Sequence, residues 1–259
     1  MTFDLVVATA NRVEEPERLL SSLDRQTHKS FRVLLVDQND DHRVGAVVAQ
    51  HGSLRIEHLR SEPGLSRARN AALTHVNADV VAFPDDDCAY PPDLLEQVAR
   101  RLDATPGHDG VTGRAPSWTT SAAVLTRENL WNRAISFTIF LRRAVVERVG
   151  AFDEALGLPS ASGEEIDYLI RALDGGARIE HDPGLVVLHE DKPDADSFGG
   201  REGVALGRIL RKHDYPPQTV ARMFIRPAGG MLVALAHRDR RRVRFQLDTL
   251  RGRLRGYAS

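Results

Sequence analysis

Three short apolar runs in the first 90 residues each end in a polar cluster, and this constrains the fold more than any other feature. Phe3-Asp4-Leu5-Val6-Val7-Ala8 runs into Thr9-Ala10-Asn11-Arg12, and Phe31 to Val36 runs into Asp37-Gln38-Asn39-Asp40. Asp79 to Phe83 runs into Asp85-Asp86-Asp87. Helical stretches separate them. Leu19, Leu20 and Leu23 share one helical face behind Pro16, Ser66 to Val76 reads as a helix, and Pro91 to Leu102 reads as another. A weaker strand spans Leu54 to Leu59. Such alternation predicts an α/β fold whose mostly parallel sheet is covered on both faces. Right-handed crossovers align the strand C-termini along one edge, where ligands of open α/β sheets bind. The three clusters are therefore expected to meet in one crevice.

The second half is less regular. Leu141 to Val149 reads as a helix stopped by Gly150, and Gly163 to Leu173 as a helix stopped by Gly175-Gly176. Leu185 to Leu188 reads as a strand ending at His189, and Asp191 to Gly203 as a mobile loop. Near the C-terminus, Val243, Leu247, Leu250, Leu254 and Tyr257 form one stripe on a basic amphipathic helix. The net charge of −1 hides an uneven distribution: 222–259 holds ten arginines against Asp239 and Asp248, or +8, and leaves −9 for the rest. This divides the chain into 1–221, with a nucleotide-binding half (1–103) and an acceptor-binding half (104–221), and a basic helical tail (222–259).

Length and composition fit one globular α/β domain with an appendage, since 259 residues at 42% apolar content can fill a core. A single cysteine, Cys88, excludes an internal disulfide and points to a reducing, cytoplasmic compartment. No signal peptide is visible, and no apolar run approaches the ~18 residues of a membrane span.

Chemistry follows from the clusters. Asp85, Asp86 and Asp87 are hard oxygen donors that suit Mg²⁺ or Mn²⁺, and adjacent carboxylates repel unless a cation sits among them. Gly64 to Asn70 opens a helix with Arg67 and Arg69 placed to reach a diphosphate. Glu164, Glu165 and Asp167 sit at a helix start, where the dipole keeps a general base ionised. His189, ending a strand, is a further metal-ligand candidate. Cys88 lies beside three carboxylates that disfavour a thiolate, so it reads as a small buried residue. A glycine-rich phosphate loop after the first strand, expected of a pyrophosphorylase or a dinucleotide dehydrogenase, is absent. A non-catalytic binding module would have lost its metal and base positions, and both are acidic here.

These residues resemble the motifs of family 2 glycosyltransferases. Val7 to Arg12 resembles the family's opening Pro-Thr-Tyr-Asn-Arg, and Val36 to Asp40 its Val-Asp-Asp-Gly-Ser. Gly64 to Asn70 resembles Gly-x-x-x-Ala-Arg-Asn, and Asp85 to Asp87 the Asp-x-Asp motif. Gly150 to Glu154 resembles Gly-Gly-Phe-Asp-Glu, and Gly163-Glu164-Glu165 with Arg171 the Glu-Asp segment. Their order holds from about residue 3 to residue 189. The resemblance implies a GT-A fold, an inverting displacement, a UDP- or dTDP-sugar donor, a hydroxyl acceptor and a divalent ion (Mn²⁺ or Mg²⁺). It further implies that Thr9, Arg12 and Asp37 hold the nucleoside, that Arg69 faces the nucleotide or its phosphates, that Asp85 sits by ribose and metal and that Asp87 ligates the metal; Asn11, Asn39 and Asp86 are further nucleotide-binding candidates, and His189 a further metal ligand. Glu165 takes the base position, with Glu164 and Asp167 as alternatives. Ala8, Ala10 and Gln38 depart from the pattern, and Gln38 bears on base selectivity. Trp131 and Asn132 are the expected acceptor contacts. The tail is expected to meet an anionic membrane surface or a second subunit through 243–257, rather than nucleic acid, giving a cytoplasmic enzyme peripheral on the inner membrane face.

Overall fold

In a computed structural model, residues 1–157, 163–189 and 199–259 are described. The chain forms two compact units, one of residues 1–154 and 168–190, the other of residues 155–167 and 191–259.

The first unit is built on an eight-stranded sheet. Its strands are β1 (Phe3–Thr9), β2 (Phe31–Asp37), β3 (Ile56–Arg60), β4 (Val80–Ala82), β6 (Gly110–Arg114), β7 (Ala123–Val124), β8 (Ile139–Arg142) and β9 (Ile179–Val186), in the order β3-β2-β1-β4-β8-β6-β9-β7. A separate pair joins β5 (Cys88–Ala89) to β10 (Leu188–His189). The helices are α1 (Glu14–Asp24), α2 (Arg43–Gln50), α3 (Leu65–Leu73), α4 (Leu94–Ala104), α5 (Arg143–Val149) and α6 (Glu164–Asp174), whose first turn falls in the second unit.

β1 and β2 are buried almost throughout, as continuous apolar runs in a covered parallel sheet must be. They pair in parallel over their full length, so Thr9 stands beside Asp37. β1 also pairs in parallel with β4, and an isolated bridge joins Ala8 to Asp85. The chain order turns at β1, with β2 on one side and β4 on the other. The three polar clusters thus meet at adjacent strand ends, as expected.

The structure corrects several elements. Leu141 and Arg142 finish β8, which runs antiparallel to β4 and β6, and the helix starts at Arg143. A short apolar run fits strand or helix equally, and pairing on both sides decides it. β9 is eight residues long and includes Pro183-Gly184, where its register with β6 shifts between Thr112 and Arg114. The helix expected from Pro91 begins at Leu94.

Asp4 is the unexpected polar residue of β1. It is fully buried and takes Arg32 Nε at 2.6 Å and the amides of Asn77 and Ala78 at 2.7 and 2.9 Å. Burial disfavours its charge, but Arg32 and these amides outweigh burial and hold its pKa below the usual carboxylate range.

The second unit contains α7 (Gly199–Lys212), α8 (Pro217–Ala236) and α9 (Arg240–Ala258). Part of the expected mobile loop, 191–198, lies outside the described residues, and Gly199 to Gly203 form the first turns of α7. The tail expected from residue 222 starts inside α8. The buried face of α9 is Thr249, Gly252 and Gly256, rather than the leucine stripe, and Leu254 is 56% exposed. α7 and α9 approach backbone to backbone. A Cβ at Gly203 would meet the Thr249 carbonyl at 2.5 Å, and one at Gly256 the Val204 carbonyl at 2.0 Å. α8 also revises the expectation that no segment is long and apolar enough to cross a membrane: by length and composition it is, at mean hydropathy 1.2.

Two outcomes follow. Asp4→Asn should cost about 3 kcal/mol at pH 7, because it leaves Arg32 without its buried partner. A lowered carboxylate pKa gives stability above the unfolded value near 3.9 that is lost as pH falls through the folded value, so the deficit should shrink below about pH 4 in denaturant titrations. Gly256→Leu should destabilise the second unit by about 1–3 kcal/mol through overpacking, whereas Gly229→Ala, with open space around it, should be neutral or mildly stabilising. Amide exchange across 199–258 reads both.

Candidate active site

The site of the first unit is tied together by the acidic triplet, whose members do different work. Asp86 is buried. It accepts the Thr9 hydroxyl at 2.8 Å and Arg12 Nη1 at 2.5 Å. Asp87 accepts the same guanidinium nitrogen at 3.0 Å and lies 3.2 Å from His189 Nε2. Asp85 accepts the Ser136 hydroxyl at 2.9 Å and Arg69 Nη2 at 3.2 Å. Burial pushes the Asp86 carboxyl above its ordinary range, with Asp87 adding to it, while Arg12 and Thr9 pull the other way. Burial opposes charge on Arg12, but Asp86 and Asp87 outweigh it and raise the guanidinium pKa. Cys88 is buried, and burial together with Asp85, Asp87 and Asp86 drives its thiol well up, as a small core residue requires.

Arg69 is not a surface cation. It is 1% exposed, lies over the touching rings of Phe83 (5.9 Å) and Phe152 (5.4 Å), and reaches Asp85. Its helix is entered through Gly64 at φ 139°, which favours glycine, and the Gly64 amide donates to Gln38 Oε1 at 2.7 Å. Arg67 is exposed and pairs with Glu154 at 3.2 Å. Asn70 clamps the Phe152 backbone: its amide nitrogen donates to the carbonyl at 3.0 Å and its oxygen accepts the amide at 2.7 Å.

The second strand end forms a companion network. Asp37 has no exposed surface and accepts the Asn39 amide at 2.9 Å, its side-chain nitrogen at 2.7 Å, and a contact from His58 Nε2 at 3.1 Å. Asn39 Oδ1 accepts the amide of Asn11, a residue at φ 58°. Arg60 Nη1 donates to the Asn39 carbonyl at 2.5 Å. Asp37 therefore shapes the loop around Asn11 and Asn39.

Sequence reasoning missed Ser136, Phe137, His58, Arg60 and Asn70. His189 stacks on Phe137 with ring centroids 4.7 Å apart and planes 3° apart, and pairs through its backbone with Cys88. An alternating β3 with two partly polar ends held the only hint of His58 and Arg60. Trp131 and Asn132 make local contacts: the indole N–H donates to the Arg127 carbonyl at 3.0 Å, and exposed Asn132 accepts from Arg133. Arg171 donates to the Val149 and Ala151 carbonyls and lies over the Tyr168 ring, so it fastens the Gly150 to Glu154 segment.

Glu164, Glu165 and Asp167 belong to the second unit, behind Gly163 at φ 93°. Asp167 is fully buried and pairs with Lys212 at 2.6 Å and His213 at 2.8 Å. Glu164 is 3% exposed, whereas Glu165 keeps partial access to solvent.

A metal is tested against the donor set. No group of three or more His, Cys, Asp or Glu side chains poised to hold an ion occurs among the described residues. The partly exposed carboxylates of Asp85 and Asp87, with His189 beside the latter, still fit an ion completed by phosphate oxygens, the way Mg²⁺ is usually bound.

Acidic and basic groups converge at the switch point of an open α/β sheet, the place where such folds bind ligands. The glycosyl transferase family 2 model matches residues 4–158, and the chain belongs to that family. It is 25% identical over 250 residues to the pre-mycofactocin glycosyltransferase of Mycobacterium tuberculosis, covering 89% of this chain and 51% of that protein. The chain thus spans about half the length of that relative. Glycosyltransferase AglE of Haloferax volcanii is 24% identical over 224 residues, covering 79% of this chain and 72% of its own. Among solved structures, the mannosyltransferase PcManGT from Pyrobaculum calidifontis, in complex with GDP-Man and Mn²⁺, superposes with TM-score 0.73 at 17% identity over 98% of this chain and 86% of its own. S. aureus TarS 1–349 with UDP-GlcNAc gives 0.61 at 18%, over 98% and 92%. The GT-A fold expected from the motifs is the fold of this chain.

Arg12→Ala should leave Asp86 buried beside Asp87 without a counter-charge, costing about 1–3 kcal/mol. Because burial already raises the Asp86 pKa, and loss of Arg12 raises it further, protonation relieves the variant as pH falls. Thermal melts should show a larger deficit at pH 7 than at pH 4.5, with the relief setting in at higher pH than for the Asp4 variant because the Asp86 pKa is raised and the Asp4 pKa lowered.

Proposed function

We propose that this glycosyltransferase moves a sugar from a nucleoside-diphosphate sugar to a hydroxyl acceptor by metal-assisted inverting displacement. The observation that carries the reading is the meeting of Asp85, Asp87 and His189 with Arg12 at the ends of β1 and β4. Neighbouring structures with GDP-Man and Mn²⁺ or with UDP-GlcNAc support a nucleotide-sugar donor and a divalent ion. UDP or dTDP is the proposed nucleotide, and a cell-envelope glycan, lipid-linked saccharide or metabolite the acceptor. Enzyme and acceptor meet at the inner membrane face, where the protein is cytoplasmic and peripheral.

In this reading Asn11, Asn39 and the Asp37 loop frame the nucleoside, while Thr9 and Asp86 hold that frame in place. Asp87 and Asp85 hold Mn²⁺ or Mg²⁺, with His189 beside them; the bound ion would neutralise charge on the leaving diphosphate. Arg69 and Ser136 fix the Asp85 carboxylate, and Arg12 fixes Asp87. The acceptor oxygen attacks the anomeric carbon, and its proton passes to a carboxylate at the start of α6. The bond from that carbon to the diphosphate oxygen breaks, and the nucleoside diphosphate leaves with the electron pair. Glu165 is the proposed base, since Asp167 is committed to Lys212 and His213 and Glu164 is buried.

Turnover of a UDP- or dTDP-sugar panel should require Mn²⁺ or Mg²⁺ and stop with EDTA. Asp87→Ala should lower kcat/KM by roughly 10²–10³-fold. Glu165→Gln should lower kcat by roughly 10²–10⁴-fold at unchanged nucleotide Kd. Full activity of Glu165→Gln would move the base role to Glu164, and activity in EDTA would remove the metal from the reaction.

A further inference from the structure

The second unit carries an apolar surface that the transfer reaction does not use. Of the large hydrophobic side chains exposed among the described residues, the five most exposed all lie on α8 and α9: Ile225 (66%), Leu232 (65%), Val233 and Leu254 (both 56%) and Leu235 (54%). Single exposed leucines are ordinary, but five in one helical hairpin are not. On α8 the residues fall on two opposite faces. Met223, Pro227 and Ala234 are buried, and Gly230 meets Gln246 of α9. Ile225 and Leu232, seven apart, lie opposite that face, and Val233 and Leu235 widen the open side on its two flanks. Only 22% of the apolar window of α8 is buried.

The glycine seam explains why this face stays open. α7 and α9 pack through Gly203, Gly207, Gly252 and Gly256, so their closest contact consumes backbone and hydrogen rather than leucine. Side chains that would close a water-soluble three-helix core are left on the outside.

Charge indicates the occupant. α8 contains no acidic residue, and its exposed side also carries Arg222 and Arg226. Arg240, Arg241, Arg242 and Arg244 open α9, and Arg244 and Arg251 are 85% and 67% exposed. The two aspartates of 222–259 leave eight of its ten arginines unbalanced: Asp239 caps α9 by accepting the Arg242 amide, and Asp248 lies 3.9 Å from both Arg244 and Arg251 at the edge of ion-pair reach. A second copy would set one strongly cationic unit against another. An anionic lipid surface offers apolar depth for Ile225, Leu232 and Val233 and phosphates for the arginines.

We propose that α8 is an interfacial helix that lies on anionic lipid through its Ile225, Leu232 and Val233 face, with the arginines of α8 and α9 on the phosphates. This deepens the peripheral reading given above and rests on it, while relocating the contact from the 243–257 stripe to α8.

The test is flotation of the full chain with vesicles of phosphatidylcholine alone or mixed with phosphatidylglycerol, at about 0.15 M salt. Two variants accompany it: Ile225→Ser with Leu232→Ser and Val233→Ser, and Arg240→Gln with Arg241→Gln and Arg242→Gln. Wild type should float with phosphatidylglycerol vesicles at least tenfold better than with phosphatidylcholine alone. Each variant should lose at least fivefold, with unchanged circular dichroism and unchanged mass by light scattering. Failure of wild type to float, or equal recovery of the serine variant, overturns the proposal. A wild-type dimer that the serine variant converts to monomer overturns it in favour of a second copy. Nucleotide binding is read on the same samples. Wild type that floats but binds no nucleotide ends the transferase reading and leaves the docking surface standing.

Discussion

The buried carboxylate of Asp86 is the constraint on which the rest of the site depends. It joins the end of β1, through Thr9 and Arg12, to the loop that follows β4. A buried charge needs hydrogen-bonding partners, and here the partners come from 74 and 77 residues away in the chain. The tie makes the two flanking aspartates diverge in environment. Asp85 meets Ser136 and Arg69, Asp87 meets Arg12 and His189, and both keep access that Asp86 has lost. One residue anchors, and its two neighbours are the ones proposed to hold the ion.

The half of the fold that bears this site was legible because its strands announce themselves. Buried parallel strands need apolar residues on both faces, so β1, β2 and β4 stand out against polar loops. Their neighbour relations follow from crossover handedness, which brings Thr9, Asp37 and Asp85 together without further information. Individual roles were less legible. Asp85, Asp86 and Asp87 are identical in chemistry, and only the alternation of burial along the loop separates them. Arg69 reads as a surface cation on a polar helix until the paired rings of Phe83 and Phe152 are found beneath it. Ser136 has no local signature, and Asn70 shows its motif but not its role, because their partners are 51 and 82 residues distant.

The C-terminal helices were misread for a physical reason as well. Glycine normally argues against helix, so Gly199-Gly200 and Gly203 look like loop. Their absent side chains are what permits α7 and α9 to touch backbone to backbone, a tertiary gain that overrides propensity. The leucine stripe of α9 was visible, yet the packed face is the one bearing Thr249, Gly252 and Gly256. Burial along α9 follows shape rather than hydrophobicity, and Ile225, Leu232, Val233 and Leu235 of α8 are exposed.

The central claim is that the crevice at the ends of β1, β2 and β4 binds a nucleoside diphosphate together with a divalent ion. Calorimetric titration of the full chain with UDP, dTDP, GDP and CDP, each with and without Mn²⁺, tests it most directly. The account predicts that UDP or dTDP binds, and that removing Mn²⁺ weakens binding at least tenfold. Preference for GDP would keep the crevice and change the donor. Folded protein that binds none of the four, with or without Mn²⁺, would contradict the claim.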